Sequence, residues 1–479
     1  MTVVAVVRDA VVDLALATGQ AAGDLDDGAV AARAVLRRHC VVDVAGTHLD
    51  EIAGELSSIA GDTLRFLDEI ARVDAEPYLT YVLADGRLVE VFGAPPTTQD
   101  GLRRLLAELT GHGTASVAGV ADAWDALPDL LRAELVRAAP MAVGNLDGVA
   151  FADRAVANEA NAIAAVAAID ADLEAVQAYL ARLRFMVGHP LLAVDVADLR
   201  VAQVRELATL YAMTGGPDRG DIEERARQRE AMRQWLADDD VLILGLSDRG
   251  DRAIVSHGDP DTAARVVTLI PGATSHPGQF ADGTAYGQYW DNLHAALPPG
   301  SATVAWVDYD APSILGAAFT GAAEEAATDL APFLEATEAR GSRQTAVIGH
   351  SYGSVVAAHT GAGLDVDVFV ATGSPGIRTL GSGLLGHLDI PSGTVVVAGT
   401  FGDDPIRFAS AHGLPLRIDP AVDVHLRLGD ADDLPAAGDP PGGPHSAYGH
   451  PEAVRRQVDA IEATWAPAAA TRGGGGGSR

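Results

Sequence analysis

The second half of the chain alternates short apolar runs with helix-like stretches, and this alternation limits the available folds more than any other feature. Each run is closed by turn residues and is apolar along most of its length; the runs span residues 241–246, 265–270, 303–307, 345–348, 366–372 and 394–398. Helical stretches such as 285–297 and 322–339 separate several of them. Strands that are apolar on both faces need cover on both sides. The pattern therefore predicts an α/β domain over residues 239–468, with a doubly wound, mostly parallel sheet.

The region before residue 239 has a mainly helical pattern. Residues 158–186 contain neither Gly nor Pro, and their apolar positions recur every three or four residues, as do those of residues 222–236. Residues 78–92 differ, because two β-rich runs flank Asp85-Gly86, a pair that favours a tight hairpin turn. We therefore expect a largely helical region with a hairpin at 1–115, a helical segment at 116–238 that packs on the α/β domain, and a disordered Gly-rich tail at 469–479.

Composition removes several kinds of chemistry. All 34 basic side chains are arginine, so no lysine can bind a nucleotide phosphate, form a Schiff base or activate a serine. The single cysteine, Cys40, excludes an intramolecular disulfide, a cysteine-rich zinc site and a protein-ligated iron–sulfur cluster. A hydroxyl activated by histidine is the main nucleophile left to this chain.

The charge balance restricts partners and location. A net charge of −32 repels nucleic-acid phosphates and anionic membrane surfaces, so we expect neither nucleic-acid binding nor membrane insertion. No stretch reaches the roughly 18 to 20 apolar residues of a membrane helix, and the first apolar run precedes the first charges, the reverse of a secretory signal. We expect a cytoplasmic protein, although export by another signal stays open. A protein partner that binds residues 1–115 also stays open.

Residues 349–353, with the sequence GHSYG, have the G-x-S-x-G spacing of a nucleophile elbow. The pattern alone is weak, because this composition gives roughly 0.2 matches by chance. Its context is stronger, since a predicted strand precedes it and a predicted helix follows from residue 355. Glycines at 349 and 353 would let strand and helix approach closely while the Ser351 hydroxyl projects above the sheet. The competing interpretation is an ordinary Gly-rich turn with a serine.

An elbow serine needs an acid and then a base, in that chain order. The predicted strand 394–398 leads to two neighbouring carboxylates, and a carboxylate just past a parallel strand lies on the same edge as the serine. We favour Asp404, which precedes a proline, over Asp403. A turn residue that only caps the following segment is the alternative role for Asp404.

Four histidines follow the acid. His425 lies within an alternating run and is more typical of a strand face, whereas His445 stands on a loop just before the predicted final helix at 451–465. A base on that loop can reach over the edge of the sheet, so we favour His445 and keep His450 and His412 as alternatives.

The oxyanion of an acyl-transfer intermediate needs two backbone N–H groups. The first would come from Tyr352, at the start of the helix after the elbow. The second should come from the loop after the strand that ends at Ile270, where Pro271 has no N–H and therefore leaves Gly272 or Ala273. Thr274 and Ser275 could add a hydroxyl or could equally cap the loop.

These residues and several other blocks resemble a bacterial α/β-hydrolase family catalogued as a domain of unknown function. In chain order the blocks are WDALP at 124–128, GNLDGV at 144–149, AN at 157–158, HGDPDTA at 257–263, IPG at 270–272, GHSYG at 349–353, GSPG at 373–376, DPI at 404–406, HG at 412–413 and HSAY at 445–448. The resemblance covers about residues 120–450. It implies an α/β-hydrolase fold in which Ser351, Asp404 and His445 are nucleophile, acid and base.

The leading functional expectation is a serine hydrolase of the esterase or lipase type that acts on a small-molecule acyl substrate and needs no metal or organic cofactor. A peptidase or thioesterase would use the same three side chains. A hydrolase fold without activity, used as a scaffold for binding or secretion, is the alternative from another class.

Overall fold

A computed structural model describes the chain over residues 80–82, 88–90, 96–111, 113–183, 186, 188–213, 219–341, 344–377, 390–408, 412, 414–434 and 443–472. The chain divides into two compact units, one of Met1–Pro95 with Ala126–Leu131 and one of Pro96–Asp125 with Arg132–Arg479. The predicted boundary after residue 115 falls inside the second unit. Most of the predicted N-terminal helical region and Cys40 lie outside the described residues.

In the first unit, two short strands form an antiparallel pair. Strand β1 (Thr80–Val82) pairs with β2 (Leu88–Glu90), with Tyr81 opposite Val89. The hairpin predicted at 78–92 is thus confirmed in its strands, while its Asp85-Gly86 turn lies outside the described residues.

The second unit is built around one eight-stranded sheet. Its strands are β3 (Val241–Leu246), β4 (Ala253–His257), β5 (Arg265–Ile270), β6 (Ser301–Val307), β7 (Gln344–His350), β8 (Val368–Thr372), β9 (Val395–Thr400) and β10 (Val424–Arg427). They lie in the order β10-β9-β8-β7-β5-β6-β4-β3. Strand β4 runs antiparallel to both its neighbours, and the other pairs are parallel. The predicted mostly parallel sheet is confirmed.

Helices precede the sheet and cover it. The helices in the described part of the chain are α1 (Gln99–Thr110), α2 (Val117–Asp125), α3 (Asp129–Ala138), α4 (Pro140–Gly144), α5 (Phe151–Ala181), α6 (Val201–Met213), α7 (Arg219–Ala237), α8 (Ala285–Ala296), α9 (Gly321–Ala339), α10 (Tyr352–His359) and α11 (Pro451–Arg472). Among them, none has the length and hydrophobicity that a membrane-spanning segment needs.

Alternate strand residues divide between two apolar clusters, one on each face of the sheet. On β5, Val267 and Leu269 join the cluster that contains Trp290 of α8, whereas Val266 and Ile270 join the cluster that contains Phe333 of α9. All four strand residues are at most 1% exposed. Full burial of such side chains contributes roughly 1.5–3 kcal/mol each, which explains why these runs are apolar on both faces.

The helical segment before the sheet is hydrogen-bonded to the edge strand β3. The Asn145 side chain donates to the Leu246 carbonyl (3.0 Å) and accepts from the Leu246 N–H (2.9 Å). The buried Arg154 guanidinium donates to the Leu244 carbonyl at 2.7 Å and forms an ion pair with Asp147 at 2.8 Å. These bonds occupy backbone groups that an edge strand would otherwise expose to another chain.

Most element bounds differ from the sequence predictions by a few residues, and three differences are larger. Helix α5 spans Phe151–Ala181 instead of the predicted 158–186, because the Gly- and Pro-free run also continues towards the N-terminus as far as Val149. Strand β4 was missed, since it follows β3 through a charged turn without an intervening helix. Helix α11 continues to Arg472, so residues 469–472 of the predicted disordered tail are helical, and residues 473–479 lie outside the described residues.

Candidate active site

Ser351 stands at a sharp turn between β7 and α10, on the edge of the sheet where the parallel strands end. Its φ of 53° is in the left-handed region, which costs free energy for a residue with a side chain. A Cβ on Gly353 would lie 2.2 Å from the Ile270 oxygen, and one on Gly349 would lie 2.5 Å from the Ser354 Cα. Both glycines are therefore required by close backbone approach, as the elbow interpretation predicts.

The structure brings Ser351, His445 and Asp404 together. His445 lies on a 3₁₀ turn, Pro444–Gly449, that precedes α11. Its Nε2 is 2.9 Å from the Ser351 Oγ, and its Nδ1 is 2.9 Å from the Asp404 Oδ2. An ionised carboxylate can only accept, so the Nδ1 carries the proton and the Nε2 is free to accept from the serine hydroxyl.

Asp404 is almost fully buried but remains well supplied with donors. Its Oδ1 accepts from the Ile406 N–H at 2.9 Å, and its Oδ2 accepts from the Tyr448 hydroxyl at 2.8 Å as well as from His445. Burial raises the pKa of Asp404, but these hydrogen bonds outweigh burial and bring the pKa below its ordinary value of 3.8. The carboxylate is therefore ionised at neutral pH.

The alternative acid and bases lie elsewhere. The Asp403 carboxylate accepts from the Ala431 and Asp432 N–H groups, whereas the carboxylate that contacts His445 is that of Asp404. The His412 Nε2 is 2.7 Å from the Ala317 carbonyl, and the His450 Nδ1 accepts from the Glu452 N–H at 3.2 Å. His425 lies on β10, as its alternating surroundings predict.

The two amides predicted to receive an oxyanion differ in their availability. A Cβ on Gly272 would lie 3.2 Å from the Ser351 Oγ, so this loop passes directly beside the serine. However, the Gly272 N–H donates to the Tyr286 hydroxyl at 2.8 Å, which leaves the Ala273 N–H as the candidate second donor. Tyr352 is the first residue of α10, and the first N–H groups of a helix have no intrahelical acceptor, so the Tyr352 N–H is a candidate donor to the oxyanion.

Hydrogen bonds hold the loop after β5, residues 271–275, in place beside Ser351. Thr274 has a φ of 62°, and its N–H donates to the Pro312 carbonyl at 2.9 Å, while Ser275 is buried. The Tyr309 hydroxyl lies 2.7 Å from the Pro271 carbonyl and 2.9 Å from that of Gly272. These contacts fix the backbone path of the loop beside Ser351.

A buried chain of hydrogen bonds links the two loops that flank the serine. The Gly272 N–H donates to the Tyr286 oxygen, and the Tyr286 hydroxyl lies 2.8 Å from the His350 Nδ1. The His350 Nε2 lies 3.1 Å from the His445 carbonyl, which can only accept, so this Nε2 carries the proton and the Nδ1 accepts from Tyr286. Burial, with His445 nearby, lowers the pKa of His350 to about 3 and keeps it neutral.

Sequence reasoning missed Tyr286 and His350 as parts of this site. His350 stood inside the elbow motif, but the motif leaves that position free. Tyr286 lies on α8, where a tyrosine at a helical spacing resembles an ordinary core residue. In the described part of the chain, no group of three or more His, Cys, Asp or Glu side chains is arranged to hold a metal ion.

Comparisons with known proteins agree with this architecture. Residues 248–411 match a family model described as an alpha/beta hydrolase, a range that includes Ser351 and Asp404. Two uncharacterized proteins of Mycobacterium tuberculosis, from strains CDC 1551 and H37Rv, are each 28% identical over 299 residues, which is 59% of this chain and 42% of theirs. The chain thus matches less than half the length of these curated relatives.

Two solved structures resemble part of the chain. A serine hydrolase from Xanthomonas campestris described as lacking a lid is 15% identical, with a TM-score of 0.29, over 44% of this chain and 88% of its own. A ligand-free epoxide hydrolase is 12% identical, with a TM-score of 0.28, over 44% of this chain and 95% of its own. The eight-stranded, mostly parallel sheet with its strand–turn–helix elbow has the α/β-hydrolase fold, and residues 248–411 of it match the alpha/beta hydrolase family model.

Proposed function

We propose that this domain is a serine hydrolase that cleaves carboxylic esters through an acyl-enzyme intermediate. The proposal is supported by two consecutive hydrogen bonds. The His445 Nδ1 lies 2.9 Å from the Oδ2 of the buried Asp404, and the His445 Nε2 lies 2.9 Å from the Ser351 Oγ. A base within hydrogen-bond distance of a hydroxyl, itself held by a carboxylate, is the arrangement that nucleophilic catalysis requires.

In the first half of the reaction, the His445 Nε2 takes the proton of the Ser351 hydroxyl as its oxygen bonds to the ester carbon. The negative charge that develops on the carbonyl oxygen is received by the Tyr352 and Ala273 N–H groups. Asp404 stabilises the imidazolium, which then gives its proton to the leaving alkoxy oxygen as the carbon–oxygen bond breaks. One alcohol leaves, and the acyl group stays on Ser351.

In the second half, a water molecule replaces the alcohol. His445 takes a proton from the water, whose oxygen bonds to the acyl carbon, and returns that proton to the Ser351 oxygen as the acyl bond breaks. The sum is one ester and one water converted to one carboxylic acid and one alcohol. We favour esters over amides because an alkoxide departs more readily than an amine from the same intermediate.

Hydrolysis of p-nitrophenyl acetate by purified variants tests the proposal. We expect Ser351→Ala and His445→Ala each to lower kcat by about 10⁶-fold, the scale that follows the loss of either group from such a triad. His450→Ala is a matched control, because it removes a histidine five residues away that contacts neither Ser351 nor Asp404, and it should retain activity. Matching thioester and anilide substrates would separate the thioesterase and peptidase alternatives. Absence of hydrolysis across all three substrate types would favour the scaffold.

A further inference from the structure

Large apolar side chains are exposed on two loops at the edge of the sheet that carries Ser351. On the loop between β6 and α9, Leu315 is 86% exposed, Ile314 74% and Phe319 70%. On the turn that follows Asp404, Phe408 is 60% exposed. We call these four side chains the apolar rim. Isolated exposed apolar residues are common, but a group of them beside a reactive centre indicates a binding surface.

Hydrogen bonds attach the apolar rim to the groups around the serine. The Thr274 N–H donates to the Pro312 carbonyl at 2.9 Å, which joins the first loop to the segment that holds Ala273. The Tyr352 hydroxyl donates to the Phe319 carbonyl at 2.8 Å, and Tyr352 is the residue after the nucleophile. The loop that carries Ile314, Leu315 and Phe319 is therefore attached to Thr274, the neighbour of Ala273, and to the Tyr352 side chain.

The buried His412, four residues after Phe408, contacts the first loop. The His412 Nε2 lies 2.7 Å from the Ala317 carbonyl, and the His412 ring packs edge-on against Tyr352 at 5.8 Å between centroids. Phe408 is separated from Asp404 only by the turn residues 405–407. The segment that carries Phe408 thus returns to the first loop at His412.

Two arginines lie beside the exposed Phe408 ring. The guanidinium carbons of Arg407 and Arg417 lie 4.6 and 5.6 Å from the centre of the Phe408 ring. Neither arginine forms an ion pair with a carboxylate in the described ranges, although acidic residues outnumber basic ones by 66 to 34. Unpaired cations beside apolar side chains suit a ligand that has both an apolar chain and an anionic group.

We infer that the apolar rim and its two arginines bind the surface of an assembled anionic amphiphile, so that the ester cleaved at Ser351 carries a long acyl chain. This inference rests on the proposed function for its reaction, and it adds the substrate class. The acyl chain lies against Leu315 and Phe319, while anionic head groups at the lipid surface face Arg407 and Arg417. Salt screening over a Debye length of about 8 Å weakens the repulsion between the lipid surface and the acidic residues that lie farther from it than this distance.

Co-sedimentation of Ser351→Ala protein with lipid vesicles tests the surface without depending on catalysis. The two vesicle types are phosphatidylcholine alone and an equal mixture of phosphatidylcholine and phosphatidylglycerol. We expect preferential binding to the mixture. Adding Leu315→Ser or Phe319→Ser should each weaken binding about tenfold, from the lost burial of one large apolar side chain. Adding Arg407→Gln and Arg417→Gln together should remove the preference for the anionic vesicles, at about fivefold for each charge.

Met213→Ser is the matched control, because Met213 is 80% exposed but lies at the end of α6, outside the rim. It should bind vesicles like its parent, and thermal unfolding checks that every variant is folded. Equal binding by the rim variants and the Met213 control would overturn the inference, as would a rim-dependent dimer in the absence of vesicles. Persistence of ester hydrolysis in Ser351→Ala would instead overturn only the proposed function.

Discussion

Replacing Asp404 by asparagine should reverse the tautomer of His445. The Asp404 Oδ1 accepts from the Ile406 N–H at 2.9 Å, so the amide oxygen of an asparagine keeps that position. Its NH₂ group then takes the place of Oδ2, 2.9 Å from the His445 Nδ1. An NH₂ group donates, so the Nδ1 becomes the acceptor and the proton moves to Nε2. A protonated Nε2 cannot take the proton of Ser351.

The loss should be large in kcat and small in KM, since the substrate contacts are unchanged. The wrong histidine tautomer in a Ser-His-Asp triad lowers kcat by about 10⁴-fold, which corresponds to a loss of about 5.5 kcal/mol of transition-state stabilisation. The structure gives asparagine little freedom to avoid this outcome, because the side chain is 1% exposed and the Tyr448 hydroxyl occupies the other direction, 2.8 Å from Oδ2.

The assay is steady-state hydrolysis of p-nitrophenyl acetate, with Asp403→Asn as the matched control. That control makes the same chemical change on the adjacent residue, whose carboxylate binds the Ala431 N–H instead of His445. It should keep activity within a few-fold of the parent. Activity of Asp404→Asn within tenfold of the parent would refute the tautomer argument, and an equal loss in both variants would refute the choice of Asp404.

Three further predictions concern the elbow and the buried hydrogen-bond chain. Gly353→Ala should lower the free energy of unfolding, measured in urea, by about 3 kcal/mol, because the new Cβ would lie 2.2 Å from the Ile270 oxygen. Gly321→Ala is the control and should leave the stability nearly unchanged, because there is open space around its Cβ. Equal effects of the two substitutions would contradict the close approach at Gly353. Tyr286→Phe leaves the Gly272 N–H and the His350 Nδ1 without their partner, so we expect the free energy of unfolding to fall by about 3 kcal/mol and kcat to be lower. Unchanged stability and kcat would refute the role of the Tyr286 hydroxyl in joining the two loops. Because burial lowers the pKa of His350 from 6.5 to about 3, the unfolded chain takes up a proton first, and stability should fall as the pH drops through that window, by up to about 1.4 kcal/mol per pH unit. His350→Gln should flatten this slope, whereas an unchanged slope would show that other groups cause it.

The parts of the fold that sequence could predict are those that depend on local order. The strands apolar on both faces and the G-x-S-x-G turn require particular residues at neighbouring positions, and β3 and β5 were predicted with the bounds that they have. Strand β4 was not predicted, because it ends in two polar residues, Ser256 and His257, and no helix separates it from β3, so it does not fit the alternation of apolar strands and helices.

The site was predictable only to within neighbouring residues. Asp403 and Asp404 both follow β9, and only the folded turn brings one of them to His445. Gly272 and Ala273 were equivalent in the sequence, and the distinction arises because the Tyr286 hydroxyl on α8 takes the Gly272 N–H. Such choices depend on contacts between separate elements, which residue patterns along the chain do not encode.

The proposed reaction requires that Ser351 is a nucleophile activated by His445. Reaction with a fluorophosphonate, followed by intact mass and peptide mapping, tests it most directly. We predict the addition of one phosphonyl group per chain on Ser351, a far slower reaction in His445→Ala, and normal labelling in His450→Ala. Labelling that persists unchanged in Ser351→Ala, or that maps to a different serine, would contradict the claim.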